Sequence, residues 1–568
     1  MTFLHKLLKS RRSSVAGVAS ASFWALVFVF SVFLAARPRD PGVFDAVTAT
    51  ATPSSKVGRD RCQDVQSLPD NGARCAYLRS HPPCTPEGYA DYLRLFYCLF
   101  GRDPWLGGAA FALWLLVLFY LLGDTASQYF CASLEGLSAA LRLPPAVAGV
   151  TFLALGNGAP DVLSSVVAFA SGVGGGAADV GLSSALGGAL FVSTVVTGVV
   201  ALVAKSRDDD AVVERRAFVR DVCFLLVALL YLLALLLAGA VTVWAAASFL
   251  SLYAAYVLVV WISHFCATAA VPESSDAKLA SAADLTAPLL PADDAPPPLP
   301  VVSGTKRRRT FPRRLLDVLH APLYLPRRLT IPDIAAHRWS KPYAVASAFL
   351  APLLLAAIYS PSTPSVLLAG ALVGSLLAAA SAIATDASSP PQTTWTRLPW
   401  LGGGFLMSVL WSYMLARELV ALLVAIGLAA GVSPSLLGAT VLAWGNSLGD
   451  LVANVAIALR GGPGGVQTAV SGCYAGPAFN TVVGLGLSLT LVAGARYPDP
   501  YAVPVEASAY QAVGFLVAAL LWALVVLLLR GMRMGRALGA GLLLIYLCFL
   551  TVRICDSTGV WRIRRAAT

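Results

Sequence analysis

Stretches of roughly 20 apolar residues recur along the whole chain, and no other feature restricts its fold as much. A helix needs about 20 such residues to cross a hydrocarbon core about 30 Å thick, and only helices or closed barrels satisfy their backbone groups there. Runs of this kind lie at 105–124, 145–171, 180–204, 218–240, 242–265, 343–359, 365–385, 401–428, 434–459, 468–493, 507–529 and 535–553. That predicts twelve transmembrane helices, or thirteen with a further run at Val15–Ala36. Only 12% of the 568 residues are charged and 57% are hydrophobic, whereas soluble domains carry about 25% charged residues. A soluble enzyme, a nucleic-acid binder and a secreted scaffold are excluded. The expected fold is an all-α polytopic membrane protein.

The net charge of +11 arises from 41 basic and 30 acidic residues, and its placement points to topology. Basic clusters at Lys6–Arg12, Lys205–Arg220, Lys306–Arg314, Arg530–Arg536 and Arg553–Arg565 mostly adjoin apolar runs, as expected where cytoplasmic loops collect Lys and Arg. Residues 1–36, with Lys9, Arg11 and Arg12 before the first run, read as a signal anchor or a signal peptide. The loop 37–104 then lies on the exoplasmic side. Its Cys62, Cys75, Cys84 and Cys98 suggest two disulfides in an oxidising compartment; zinc is the alternative, without a Cys-x-x-Cys pair to support it. The first transmembrane half spans 105–265 and the second 342–553. Between them, 266–341 is acidic, then Pro-rich, then basic, and reads as a disordered cytoplasmic linker. A cytoplasmic N-terminus puts the basic loops 205–217, 266–341 and 530–534 inside; the same count puts the basic tail 554–568, with Arg553 at its base, outside, against the Lys and Arg rule, so the sequence does not assign the side of the tail.

The two halves resemble each other. Ala148-Gly-Val-Thr-Phe-Leu-Ala-Leu-Gly-Asn-Gly-Ala-Pro-Asp161 aligns with Leu437-Gly-Ala-Thr-Val-Leu-Ala-Trp-Gly-Asn-Ser-Leu-Gly-Asp450 at a constant offset of 289. The following spans align at 288, Gly188-Ala-Leu-Phe191 against Gly476-Pro-Ala-Phe479. Chance apolar similarity matches Leu and Val, whereas here Gly, Asn and Asp match in register. Seven steps lead from the span of the first copy to that of the second, an odd number that inverts one relative to the other. Inverted repeats with Gly and Pro interruptions mark secondary transporters, whose site lies where the repeats meet.

A carboxylate inside a bilayer is costly and is presumed to face a cavity or partner. Asp161 and Asp450 are repeat-related, and each follows an Asn by four residues. Pro160, Gly449 and the glycines at 156, 158 and 445 are expected to weaken the helices there and free backbone carbonyls. Two carboxylates, the amide oxygens of Asn157 and Asn446, the Ser447 hydroxyl and freed carbonyls make an all-oxygen cage. Hard cations such as Ca²⁺ take about six to eight oxygens of this kind, and the absence of His or Cys from the motif disfavours soft metals. Asn480 follows the repeated Gly-x-x-Phe and joins the set. Thr151, Thr440, Ser164, Ser193, Asn454 and Thr481 are weaker candidates, because Ser and Thr often bond back to their own helix. Asp124, Glu135 and Glu418 have no repeat partner and stay outside the site; Glu418, beside Arg417, is expected in a solvated or paired position.

Gly156-Asn-Gly-Ala-Pro-Asp161 and Gly445-Asn-Ser-Leu-Gly-Asp450 resemble the paired alpha-repeats of the sodium/calcium exchanger superfamily. The likeness is greatest to the plant cation/calcium exchangers, relatives of the mitochondrial sodium/calcium exchanger, and covers about 105–553. It implies ten core helices with the ion site between the repeats. It also implies antiport of Ca²⁺ or monovalent cations for Na⁺, K⁺ or H⁺ by alternating access. On this resemblance Asp161 and Asp450 match the two central acidic ligands, and Asn157, Asn446, Ser447 and Asn480 match flanking positions. Better-known members carry Glu at the two Asp positions, and potassium-dependent members carry an acid where this chain has Asn480. The first repeat has Val192 opposite Asn480, which makes the site asymmetric. The expected partners are the lipid bilayer and inorganic cations, as cargo rather than cofactors, with no nucleic acid and no enzymatic step. The resemblance is compatible with a vacuolar, other endomembrane or plasma-membrane location. A cation channel using the same carboxylates is the alternative; a sensor acting through the linker and an anion carrier are further rivals.

Overall fold

A computed structural model of the protein describes residues 65, 68–80, 88–141, 154–170, 176–207, 212–269, 324–360, 363–460, 462–503 and 507–557. The expected anchor 15–36, Cys62, Cys84, Thr151 and residues 558–568 lie outside the described residues. Eleven described helices are long and apolar enough to cross a membrane. In chain order, and with the shorter apolar helix Ala154–Ala170 counted, they are α1 (Pro104–Ser138), α2 (Ala154–Ala170), α3 (Ala177–Ala204), α4 (Arg215–Ala238), α5 (Val243–Ile262), α6 (Lys341–Tyr359), α7 (Pro364–Ala384), α8 (Thr394–Ala430), α9 (Pro434–Leu459), α10 (Gly465–Ala495), α11 (Ala507–Leu529) and α12 (Arg536–Ser557). The helices form where the apolar runs predict them, and Pro364 and Pro434 open α7 and α9 at the helix start, where their missing N–H costs nothing.

Two compact units divide the chain, and they do not follow the two sequence halves. Among the described residues, one unit holds 124–141 and 324–412, and the other holds 65–123, 154–269 and 413–557. The second unit therefore gathers both copies of the repeat.

Within that unit, two short backbone clips reveal the inversion. Strands β1 (Ala240–Val241) and β2 (Tyr501–Ala502) pair antiparallel and join the α4–α5 loop to the α10–α11 loop. Val212 bridges Arg533 in the same sense and joins the α3–α4 loop to the α11–α12 loop, with Val213 N–H donating to the Met532 carbonyl at 2.9 Å. Exchanging the repeats turns one clip into the other. Loops that hydrogen-bond must share a membrane face, so the α11–α12 loop lies with the α3–α4 loop. Because α4 crosses the membrane, its far end lies opposite, and the equivalent α4–α5 and α11–α12 loops sit on opposite faces. The clip at Val212 also puts two basic loops on one face, as the Lys and Arg distribution predicts.

The repeat helices cross-pack. α2 packs against α10, and α3 against α9, besides the α2–α3 and α9–α10 hairpins. At the α3–α9 crossing a Cβ on Gly187 would sit 2.7 Å from the Ala439 Cα, so the backbones touch only because Gly stands there.

Several expectations change. The motif helices are not broken: α2 is α-helical through Pro160 over Ala154–Ala170, and α9 over Ala443–Arg460. A proline inside a helix frees only the carbonyl four residues back. The irregular backbone lies instead in π-helical turns, Val192–Val196 on α3 and Asn480–Leu485 on α10, at equivalent places in the two repeats. A third, Gly438–Leu442, follows the first turn of α9, and such turns are often found at functional sites. Arg553, expected at the base of the tail, lies inside α12, buried, and its Nη2 donates to Ser435 Oγ at 3.2 Å. The end of the linker is folded, since Arg327 and Arg328 are buried among the residues of their unit.

Within the segment 37–104, one disulfide is present among the described residues, Cys75–Cys98, which ties helix Asn71–Ser80 to helix Tyr92–Leu99.

Candidate cation site

Asp161 lies on α2 and is 4% exposed. Asn480, at the start of the π turn on α10, donates from Nδ2 to Asp161 Oδ2 at 2.6 Å. One repeat thus holds the carboxylate of the other. Gly158 makes this contact possible, because a Cβ there would fall 2.1 Å from Asn480 Oδ1.

α9 and α3 complete the surroundings. A Cβ on Gly188 would sit 3.4 Å from Ser447 Oγ and 3.7 and 3.8 Å from the two Asp161 oxygens. The α3 backbone therefore passes directly over a point where α2 and α9 converge. Asn446 reaches from α9 to α2, where its Nδ2 donates to Ser164 Oγ at 3.4 Å. Asp450 is half-buried on α9 and within electrostatic range of Asp161. Asn157 lies one turn before Asp161 on α2; its side chain lies outside the described residues.

What this arrangement can do follows from its unused lone pairs. Asp161 Oδ1, Asn446 Oδ1, Ser447 Oγ and Asn480 Oδ1 are buried and accept no hydrogen bond. Ser193 Oγ and Thr481 Oγ1, repeat-related and both within the π turns, are buried in the same condition. An unsatisfied buried polar atom costs about 1–3 kcal/mol, and native structures contain few. Oxygens left facing inward at a repeat interface fit a dehydrated cation. Among the described residues no group of three or more His, Cys, Asp and Glu gathers, so the donor set is amide and hydroxyl oxygen around two carboxylates.

The weaker candidates separate on the same criterion. Thr440 Oγ1 bonds back to the Leu436 carbonyl at 2.6 Å, and Asn454 Nδ2 bonds to the Asp450 carbonyl at 2.9 Å. Both spend their polarity on their own helix. Ser164, which the sequence ranked no higher, receives Asn446.

Charges outside the site are engaged elsewhere. Asp124 pairs with Arg327 at 2.7 Å. Glu418 is not solvated: it is buried and accepts hydrogen bonds from Tyr92 and Tyr89. No sequence pattern announces these pairings, since the partners lie hundreds of residues apart.

Comparison with known proteins gives the same two regions. The family described as sodium/calcium exchanger protein matches residues 111–262 and 400–555, the stretches that carry α1–α5 and α8–α12. Cation/calcium exchanger 1 of Arabidopsis thaliana is 44% identical over 559 residues, covering 94% of this chain and 96% of the relative. Cation/calcium exchanger 2 of the same plant is 44% identical over 521 residues, 88% of this chain and 91% of the relative. The mitochondrial sodium/calcium exchanger protein of Homo sapiens is 33% identical over 532 residues, 86% and 88% of the two chains.

Proposed function

Because the chain belongs to the sodium/calcium exchanger family, we propose that it is a secondary active antiporter that exchanges Ca²⁺ or a monovalent cation for Na⁺, K⁺ or H⁺ by alternating access. The observation that carries this reading is the convergence of two repeat-related carboxylates with buried, unbonded oxygens of Asn446, Ser447 and Asn480. Asp161, Asp450, Asn446, Ser447, Asn480 and, by its place on α2, Asn157 are the proposed ligands.

Electrostatics supplies the coupling. Two carboxylates in a low-dielectric setting present a charge near −2, which one divalent or two monovalent cations neutralise. Moving the empty, charged site between the two faces carries the cost of an uncompensated buried charge, so the site switches sides when loaded. Leak is suppressed and exchange favoured.

Purified protein in vesicles, with Ca²⁺, Na⁺, K⁺ and a pH gradient varied one at a time, tests the reading. Uptake should stall without a cation on the opposite side and resume when one is added. Flux that continues with no opposite-side cation would identify a channel instead.

A Gly158→Ala variant tests the geometry. Its methyl group displaces Asn480 from Asp161, and overpacking of about 1–3 kcal/mol should lower the exchange rate per folded protein about tenfold. An unchanged rate would remove the Asn480–Asp161 contact from the mechanism.

A further inference from the structure

Glu418 takes no part in the paired-repeat site, yet it is a carboxylate within a membrane helix and only 8% exposed. It accepts hydrogen bonds from the Tyr89 backbone N–H and, at 2.5 Å, from the Tyr92 hydroxyl. The Tyr92 oxygen in turn accepts from Trp114 Nε1 at 3.0 Å. Burial and the bond to Glu418 both raise the Tyr92 phenol above its ordinary pKa, which keeps it a donor at neutral pH. Neutral donors therefore hold the carboxylate. Among the described residues it forms no ion pair, and the neighbouring Arg417 guanidinium lies instead over the Tyr89 ring, 5.6 Å from its centre. Buried charges are normally paired.

The carboxylate borders a cavity of about 530 Å³ whose walls include Tyr89, Tyr92, Leu95, Phe100, Phe111 and Trp114. That volume is in the range of small-molecule sites, about 300–1,000 Å³. The walls are braced: Tyr92 and Phe100 meet Phe111 edge-on at 5.8 and 6.4 Å, and the Cys75–Cys98 disulfide secures helix Tyr92–Leu99.

We propose that this cavity binds the alkylated ammonium group of an amphiphile, with Glu418 as countercharge and the aromatic rings as its cage. A hard metal ion is a poor fit, because it wants about six or more oxygens and the wall offers one carboxylate and two phenols. An ammonium bearing alkyl groups matches both features, since it is attracted to aromatic faces and its apolar substituents suit the rest of the lining. The site is independent of the exchanger reading.

The test is calorimetric titration of the full chain, in neutral detergent, with hexyltrimethylammonium. Saturable binding of one ligand per chain is expected, with hexanol failing to compete. Glu418→Gln should weaken binding about tenfold, and Phe111→Leu, which leaves the carboxylate and its donors in place, about fivefold. If Glu418→Gln fails to fold, Phe111→Leu carries the test alone. Phosphatidylcholine discs that displace the probe, where phosphatidylglycerol discs do not, would assign the occupant to a choline lipid; displacement by neither would assign it to a free amphiphile. No saturable binding, equal competition by hexanol, or wild-type affinity in a folded variant would overturn the proposal.

Discussion

Asp161→Asn is expected to reduce counter-ion-dependent cation flux in reconstituted vesicles to the level of protein-free vesicles. Asn has nearly the shape of Asp, so the change removes charge and leaves packing. Two unit charges 4 Å apart at an effective dielectric of about 20 interact by about 4 kcal/mol, a factor of roughly 10³ in affinity, and a divalent cation feels more. The Asn oxygen can still accept from Asn480 Nδ2, which donates to Asp161 at 2.6 Å, so the loss reads the charge rather than the contact. Asp450→Asn should lose flux as well, by less. Asp450 is only half-buried, so its charge acts through a better-screened surrounding. Equal flux in wild-type and Asp161→Asn vesicles would remove this carboxylate from the cation path.

Arg327→Met should produce the largest loss of stability. The guanidinium is 1% exposed, contacts Asp124 Oδ2 at 2.7 Å and donates to Thr125 Oγ1 at 3.0 Å. Removing one member of a buried pair costs about 3–5 kcal/mol, and the loss here should lie at the lower end of that range, because the Asp124 side chain keeps 20% exposure. In detergent the variant should melt about 5–10 °C lower. Adding Asp124→Asn should restore most of the loss, since both charges are then gone. Arg327→Lys should restore little, because a point-like ammonium cannot hold Asp124 and Thr125 together as the planar fork does. A single variant that melts with wild type would show that the pair contributes nothing net.

The two predictions differ in how far the sequence anticipates them. Asp161 and Asp450 are legible because charge is scarce in the apolar runs and the repeat sets both in register at an offset of 289. Asn480 is legible for the same reason, through Gly-x-x-Phe. Arg327 is not. In sequence it belongs to a basic stretch next to a Pro-rich linker, and such a stretch ordinarily marks a solvated cytoplasmic loop. Its burial depends on Asp124, 203 positions away, a pairing that no local period encodes. Glu418 misleads in the same way, because adjacency to Arg417 suggests a solvated or paired position while its hydrogen-bond partners are Tyr89 and Tyr92, 329 and 326 positions away.

The backbone of the site shows the same limit. Gly and Pro in the motif suggest that its helices unwind around the two acids, yet Ala154–Ala170 and Ala443–Arg460 stay α-helical there, and the π turns fall on α3, on α10 and near the start of α9. Intrinsic propensity is a local preference, and packing of four crossed helices overrides it.

The sequence by itself determined the class of the protein, its recurring apolar spans, the inverted repeat and the matching register of Asp161 and Asp450. Each follows from a free-energy cost that any local environment in a bilayer imposes: unpaired backbone, exposed polarity, buried charge. Only the tertiary structure decided that both repeats belong to one compact unit, that Asn480 of one holds Asp161 of the other, and which lone pairs stay unbonded. Those outcomes depend on which distant surfaces meet, and complementarity between surfaces is a property of the folded chain rather than of any stretch of it.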